Sequence, residues 1–260
     1  MKTSELFEEL SRILKMRRKA ALCILVSKRG YGPREVGAKM LVDEEGNAMG
    51  TIGGSEMERI IIEEALKAMR EGKPRSISFA LGVKPREGMI PLKSECGGEV
   101  EVFIDVIQPD PRLIIIGSGH IAKPLADLAH MVGFEVVIVD DAPTATEERF
   151  PYAEIHSGPF EEELKRLEVR PTDYVAIVHG ETPYELAALR VMLRKHPAYI
   201  GLLGSRHKVE RHKARLRGEG FTEDELKRIR GPIGIEIGAE TPEEIAVSII
   251  AEIIKARRGA

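Results

Sequence analysis

The chain has 260 residues, 43% of them hydrophobic, and a formal charge of −3, enough apolar mass for one large core or two smaller ones. The slight acidic excess argues against a general nucleic-acid binder, no apolar run approaches membrane-spanning length, and the amino terminus has acids where a signal peptide would be apolar. Two cysteines in unlike contexts, Cys23 and Cys96, suit a reducing cytoplasm better than a disulfide framework, and 31% charged residues with Asn47 and Gln108 as the lone amides lean toward a thermophilic source.

Leu6, Phe7, Leu10, Ile13 and Leu14 recur at helical spacing, so residues 4 to 18 predict an amphipathic helix closing on the basic Lys15 to Lys19 cluster, where cations suit the helix dipole. Strand-like runs follow at Ala21 to Ser27, Ala38 to Val42 and Ala48 to Ile52, the last two joined through the turn residues Asp43 to Asn47. Gly53 and Gly54 lead into Ser55-x-x-Glu58, a capping-box pattern. The helix that continues through Ile60, Ile61, Ala65, Leu66 and Met69 meets its stop at Gly72 and Pro74. Ile77 to Leu81 and Glu99 to Ile107 resume the strand pattern, the second alternating Val100, Val102, Ile104 and Val106 against polar neighbours. The stiff segment Gln108 to Pro111 predicts a boundary between a smaller α+β domain over 1–108 and a second domain over 109–260.

Arg112 to Asp141 then joins a buried-strand run, a glycine turn, an amphipathic segment and a second apolar run ending in paired acids. That is the βαβ pattern of dinucleotide-binding folds. Gly117, Gly119 and Ala122 fill the G-x-G-x-x-G/A positions: the first permits the tight turn, the second leaves room for a pyrophosphate, and the small third lets helix pack on strand. Asp140 follows Gly117 by 23 residues, where an acid accepts from a ribose 2′-hydroxyl. Tyr174 to Val178, Tyr199 to Leu203 and Ile233 to Ile237 read as strands or buried extended runs, alternating with helices at Pro183 to Lys195, Arg206 to Arg217 and Pro242 to Arg257. Thr241, Pro242 and Glu244 mark the start of the last. The second half therefore predicts a Rossmann-like, doubly wound parallel sheet in an α/β protein.

Four glycine-rich stretches crowd the first half: Arg29 to Arg34, Gly37 to Lys39, Gly50 to Ser55 and Glu95 to Gly98. Such glycines either make sharp turns, their commonest use, or bring backbone amides up to an anion; Gly53, Gly54 and Ser55 stand at a helix start, where free amides gather. Cys96, beside Gly97 and Gly98 in a loop, is a candidate nucleophile, metal ligand or sulfur carrier, whereas Cys23 in the run AALCILV reads as a small buried hydrophobe. His120 sits either to donate toward an anion at the glycine turn or simply in solvent. Gly204, Ser205 and Arg206 form a second strand-to-helix turn suited to a phosphate. The eight basic or histidine side chains of Arg206 to Arg217 read as a solvated helix face, and His156, His179, His196 and His212 lack the spacing of a local metal site.

Together these motifs resemble the XdhC/CoxI family, the xanthine dehydrogenase accessory proteins. The resemblance extends over nearly the whole chain. It runs through GPREVGAKMLV (Gly32 to Val42), GTIGGSEME (Gly50 to Glu58) and ECGGEVEVFID (Glu95 to Asp105) in the first half. In the second it runs through IIGSGHIAKPLADLAHMVGFEVVIVDD, ERFP (Glu148 to Pro151), YIGLLGSRHK (Tyr199 to Lys208) and GPIGIEIGAETPEEIAVSIIAEII (Gly231 to Ile254). It implies a cytoplasmic, typically dimeric helper that binds molybdenum cofactor (molybdopterin), supports its sulfuration by a cysteine desulfurase and delivers it to an apo molybdenum hydroxylase. The amide-rich turns, with Arg34 and Lys39 for charge, would suit the cofactor's phosphate and pterin, and Cys96 would touch sulfur or molybdenum. The chain departs from the family pattern at His179 to Glu185, where relatives carry a second His and an Asp. It also has Ser55 for a usual glycine and Glu236 for a common Asp. The alternatives are an NAD(P)-dependent oxidoreductase, for which no hydride-transfer dyad is recognisable, and a nucleotide-sensing regulatory module.

Overall fold

A computed structural model describes residues 2–259, which divide into two compact units with the boundary between Pro109 and Asp110. The first unit holds α1 (Thr3–Lys15), β1 (Ala20–Gly30), β2 (Lys39–Asp43), β3 (Ala48–Gly50), α2 (Ser55–Glu71), β4 (Arg75–Leu81), β5 (Met89–Leu92) and β6 (Gly98–Ile107). Its sheet runs in the order β3-β2-β1-β6-β4-β5, antiparallel except for the β4–β5 pair. The alternation of β1 decides the layers. Ala21, Cys23 and Leu25 turn to the face covered by Met57, Ile61, Ala65 and Ala68 of α2, and Ala20 and Leu22 turn to the face covered by Leu6, Leu10 and Ile13 of α1. Cys23 is fully buried, and burial pushes its thiol pKa up to about 12.

The second unit holds β7 (Arg112–Ile116), α3 (Ala122–Met131), β8 (Glu135–Val139), β9 (Ala153–His156), α4 (Phe160–Arg166), β10 (Tyr174–Ile177), α5 (Thr182–Lys195), β11 (Tyr199–Leu202), α6 (Arg206–Gly218), α7 (Glu223–Lys227), β12 (Ile229–Arg230) and α8 (Pro242–Arg258). All strand pairs are parallel, in the order β12-β11-β10-β7-β8-β9. Ile114, Ile116, Val137, Val175 and Ile177 pack under α4, α5 and α6, while Leu113, Ile115, Val136, Ile138 and Ala176 pack under α3 and α8. The sheet is thus wound on both faces. The chain leaves β7 in one direction for β8 and β9 and returns beside it as β10. The carboxyl ends of β7 and β10 therefore flank the switch point where such folds bind ligands.

Four expectations change. Ser55 is the first helical residue of α2 and Gly54 the cap, so Ser55 stands one position too late to cap; Glu58 instead bends back to Thr51, Ile52 and Gly53. Ile233 to Ile237 forms no strand. Pro232 offers no N–H, and Gly234 and Gly238 turn the backbone to φ of 109° and 69°, so the ladder partner of β11 is β12 instead. The two edge strands β5 and β9, four residues each, carry too little apolar pattern to be read from sequence. The basic α6 is not merely a solvated face, because its His212 is buried.

Candidate functional site

At the carboxyl edge of the second sheet the glycine turn is held from both sides. Gly117 donates its N–H to Val139 across the turn, and a Cβ on it, at φ of 111°, would stand 2.8 Å from the His179 backbone. Only glycine lets β7 and β10 approach so closely there. Ser118 is buried, and its N–H and hydroxyl each donate to Asp140 Oδ2 at 2.7 Å; Ala142 N–H donates to Oδ1 at 3.2 Å. The acid expected at a ribose is therefore already engaged in closing the turn, whereas Asp141, the next residue, is exposed. Gly119 has open space where a side chain would be, His120 is exposed, and the Arg149 guanidinium donates to the Gly119 carbonyl at 3.3 Å.

His179, just beyond β10, lies with its side chain 9% exposed, its Nε2 3.5 Å from Asp140 Oδ1. Its ring stacks on Tyr184 at 4.0 Å between centroids and meets the edge of Phe160 at 5.7 Å, and its Nδ1 is buried without a partner. Tyr184 donates to Asp141 Oδ2 at 3.4 Å, and the charge of Asp141 raises the tyrosine's pKa. A recess of about 500 Å³ opens here, lined by Asp141, Pro159, Phe160, Pro183, Tyr184 and Ala187. Gly204, Ser205 and Arg206 follow β11 at the same edge: Ser205 caps α6 by accepting from Lys208 N–H at 3.2 Å, and Arg206 is exposed.

Sequence reasoning missed one cluster beneath this edge. Glu185, 0% exposed, accepts from Lys208 Nζ at 2.7 Å and pairs with His212 Nε2 at 3.0 Å; Lys208 also donates to the Gly180 carbonyl at 3.1 Å. A carboxylate at zero exposure persists only with such partners. The cluster ties the start of α5 and the body of α6 to the loop that carries His179. Its only sequence signal is an ionisable residue, Glu185, amid the apolar positions of α5.

In the first unit the glycine motifs do different work. A Cβ on Gly98 would lie 2.1 Å from the Tyr31 carbonyl oxygen, and one on Gly30 2.8 Å from the Gly97 carbonyl oxygen, so the paired ends of β1 and β6 meet backbone to backbone. A Cβ on Gly53 would press on the side chains of Met57 and Pro33, while Glu58 Oε1 accepts from the amides of Ile52 and Gly53 at 3.1 and 3.3 Å. Those amides, expected for an external anion, are thus turned toward an internal one. Arg34 and Lys39 do come together: with Gly37, Gly50 and Thr51 they line a cavity of about 330 Å³ at the start of α1. Lys39 Nζ donates to the Gly37 carbonyl at 2.9 Å, and among the described residues neither cation has an acidic partner. Cys96 does not line this cavity; it is half-buried against the unit's core, its N–H donating to Ser94 Oγ at 3.1 Å. Among the described residues no three His, Cys, Asp or Glu side chains are grouped to hold a metal ion.

A family model described as the XdhC Rossmann domain matches residues 113–253, and one described as the XdhC and CoxI family matches residues 13–80. The YqeB protein of Escherichia coli K12 is 36% identical over 258 residues, 98% of this chain and 47% of its own length. A protein of Bacillus subtilis 168 described as a probable xanthine dehydrogenase component is 36% identical over 159 residues, 60% of this chain and 46% of its own. The chain thus spans about half the length of these two curated relatives. The molybdenum cofactor insertion chaperone PaoD of Escherichia coli K12 is 25% identical over 92% of this chain and 83% of its own. A solved structure described as a xanthine dehydrogenase from Bacillus halodurans covers 97% of this chain and 95% of its own at 22% identity with a TM-score of 0.53, a likeness of fold.

Proposed function

The chain belongs to the XdhC and CoxI family, and from that membership we propose that it is an accessory factor of xanthine dehydrogenase-type enzymes that binds molybdenum cofactor and passes it to the apo molybdenum hydroxylase. The observation that carries this reading is the cavity with two cations lacking acidic partners, Arg34 and Lys39, beside Gly37, Gly50 and Thr51. The residues present suit the cofactor's anionic phosphate: a guanidinium able to grip it with two parallel N–H groups, an ammonium that needs only to leave a carbonyl, and a threonine hydroxyl. When bound, the cofactor would supply the molybdenum and its sulfur chemistry. The chain's part is to hold the phosphate end and shield the pterin.

Cys96 is the half-exposed thiol of the unit and the one we assign to sulfur or molybdenum contact during sulfuration by a cysteine desulfurase, with the working form a cytoplasmic homodimer. The charge arrangement favours capture over catalysis, because the cavity brings together cations and backbone but no acid–base pair. The test is retention of molybdenum cofactor by the full chain through gel filtration, followed by activation of an apo-hydroxylase. We expect Arg34→Ala with Lys39→Ala to lose retention by at least tenfold, and Cys96→Ala to retain cofactor but fail to yield sulfurated, active hydroxylase. Wild-type retention by the double variant overturns the site; wild-type activation by Cys96→Ala overturns the role of the thiol.

A further inference from the structure

We propose that the outward stripe of α8 docks a second copy of this chain, the two helices running in opposite directions about a twofold axis beside Ala251. The inference rests on the homodimer reading above and gives it a surface, drawn from the second unit alone.

The sequence of α8 marks the stripe. Between Ile245 and Ile254 the only polar side chains are Ser248 and Glu252, and both turn back to the protein. Ser248 Oγ donates to the Ile235 carbonyl at 2.5 Å, and Glu252 accepts from the Gly234 N–H. The helix is therefore apolar all round through its middle turns, the pattern of a helix covered on every side. Its inner side meets the core through Ala246, Ile249 and Ile253. Its outer side is uncovered: Val247 is 47% exposed, and Ala251 and Ile254, four and seven residues on, are part-exposed on the same face. The loop before α8 widens this surface. Ile235 N–H donates to the Ser248 carbonyl at 3.3 Å, which holds the exposed Ile235 against the turn that carries Val247, and Ile237 is exposed as well. Apolar groups on a helix and a hydrogen-bonded loop are already ordered, so covering them loses little conformational entropy.

Charge decides the occupant. Glu240 and Glu243 stand at the start of the stripe and Lys255 and Arg258 at its end, and none of these four side chains has a partner among the described residues. A parallel copy would set acids against acids. An inverted copy sets Glu243 of one chain across from Arg258 of the other and Val247 across from Ile254, both pairs centred between Ile250 and Ala251. The small Ala251 then meets its own image and lets the helices approach. The apolar stripe supplies affinity and the end charges choose the direction. Any other partner would have to reproduce this inverted pattern, which a second copy already carries.

The experiment is sedimentation velocity on the full chain at micromolar concentration, where we expect a dimer. Val247→Arg can pair with its own Glu243 one turn back but meets Ile254 and Arg258 across the axis. It should dissociate at least tenfold more readily, with thermal unfolding unchanged. Glu240→Lys with Glu243→Lys should also weaken the dimer, and adding Lys255→Glu with Arg258→Glu to the same chain should restore it. That fourfold chain should pair with itself and not with fluorescently labelled wild type. A folded Val247→Arg chain that dimerises like wild type, or free exchange between wild-type and fourfold chains, overturns this surface while the homodimer stands. A wild-type chain that stays monomeric overturns the homodimer reading and the surface together. Reversed end charges oppose the helix dipole, so the Val247→Arg measurement decides where the fourfold chain fails to fold. Cofactor retention is read on Arg34 and Lys39 variants and stands or falls separately.

Discussion

The two units meet the same problem, a precisely shaped polar surface over an apolar core, in opposite ways. Among the described residues, the buried polar or charged side chains Ser118, Asp140, Asp173, Glu185, His212 and Ser248 all belong to the second unit. The first unit has none among its described residues and relies on backbone approach alone, its paired strand ends at Gly30 and Gly98 pressed against carbonyl oxygens. Backbone crossings need only the absence of a Cβ and cost no desolvation of charge. Buried charges cost heavily unless each is paired, and in return they lock side chains far apart in sequence into one arrangement.

Substitutions can break this contrast, beginning with the largest effect. Glu185→Leu leaves Lys208 and His212 without their carboxylate and should cost about 3–5 kcal/mol, read as a lower urea midpoint for the second unit with the first unchanged. Gly98→Ala drives a Cβ into the Tyr31 carbonyl and should cost about 1–3 kcal/mol in the first unit; the matched change Gly119→Ala, in open space, should stay within about 0.5 kcal/mol. If both glycine substitutions cost the same, the backbone-crossing account of the first unit is wrong.

Smaller effects sharpen the comparison. Thr241→Ala removes the side-chain acceptor at the start of α8 and should cost about 1 kcal/mol by denaturant titration. The N–H groups of Glu240 and Thr241 hold the Glu244 pKa below its ordinary value, so its stabilising contribution is present above the unfolded carboxylate pKa and is lost as pH falls through the lower folded one. Glu244→Gln should therefore flatten the acid limb of the stability profile. With its thiol pKa pushed up to about 12 by burial, Cys23 should resist iodoacetamide at pH 8, whereas half-exposed Cys96 should be alkylated in the native protein, as peptide mass spectrometry would show.

Much of the molecule was legible along the chain because its signals are local. Apolar strand-like runs located β1, β7, β8 and β10, period-two alternation located β6, and Gly72, at φ of 65°, stops α2 where expected. The capping box at Thr241 and Glu244 forms as its spacing demands. The glycine turn at Gly117 to Gly119 was visible as well, since strand, turn and helix lie within one continuous stretch. Where the reading failed, the deciding partner was remote or competed. Ser55 lost the capping position to Gly54, and Asp140 reached Ser118 across the strand ends instead of staying free. His212 found Glu185 from the next helix, 27 residues away.

Sequence alone therefore determined which segments are strands and helices, where glycines must turn and which motifs mark the family, because each rests on neighbours within a turn or a strand. The tertiary structure decided which ionisable groups are consumed inside the protein and which stay outside its hydrogen-bond networks: Asp140, Glu58 and Glu185 are engaged, while Arg34 lines a cavity with no acidic partner among the described residues. A hydrogen bond or ion pair is settled by distances of a few ångströms between elements, and packing, not spacing along the chain, sets those distances.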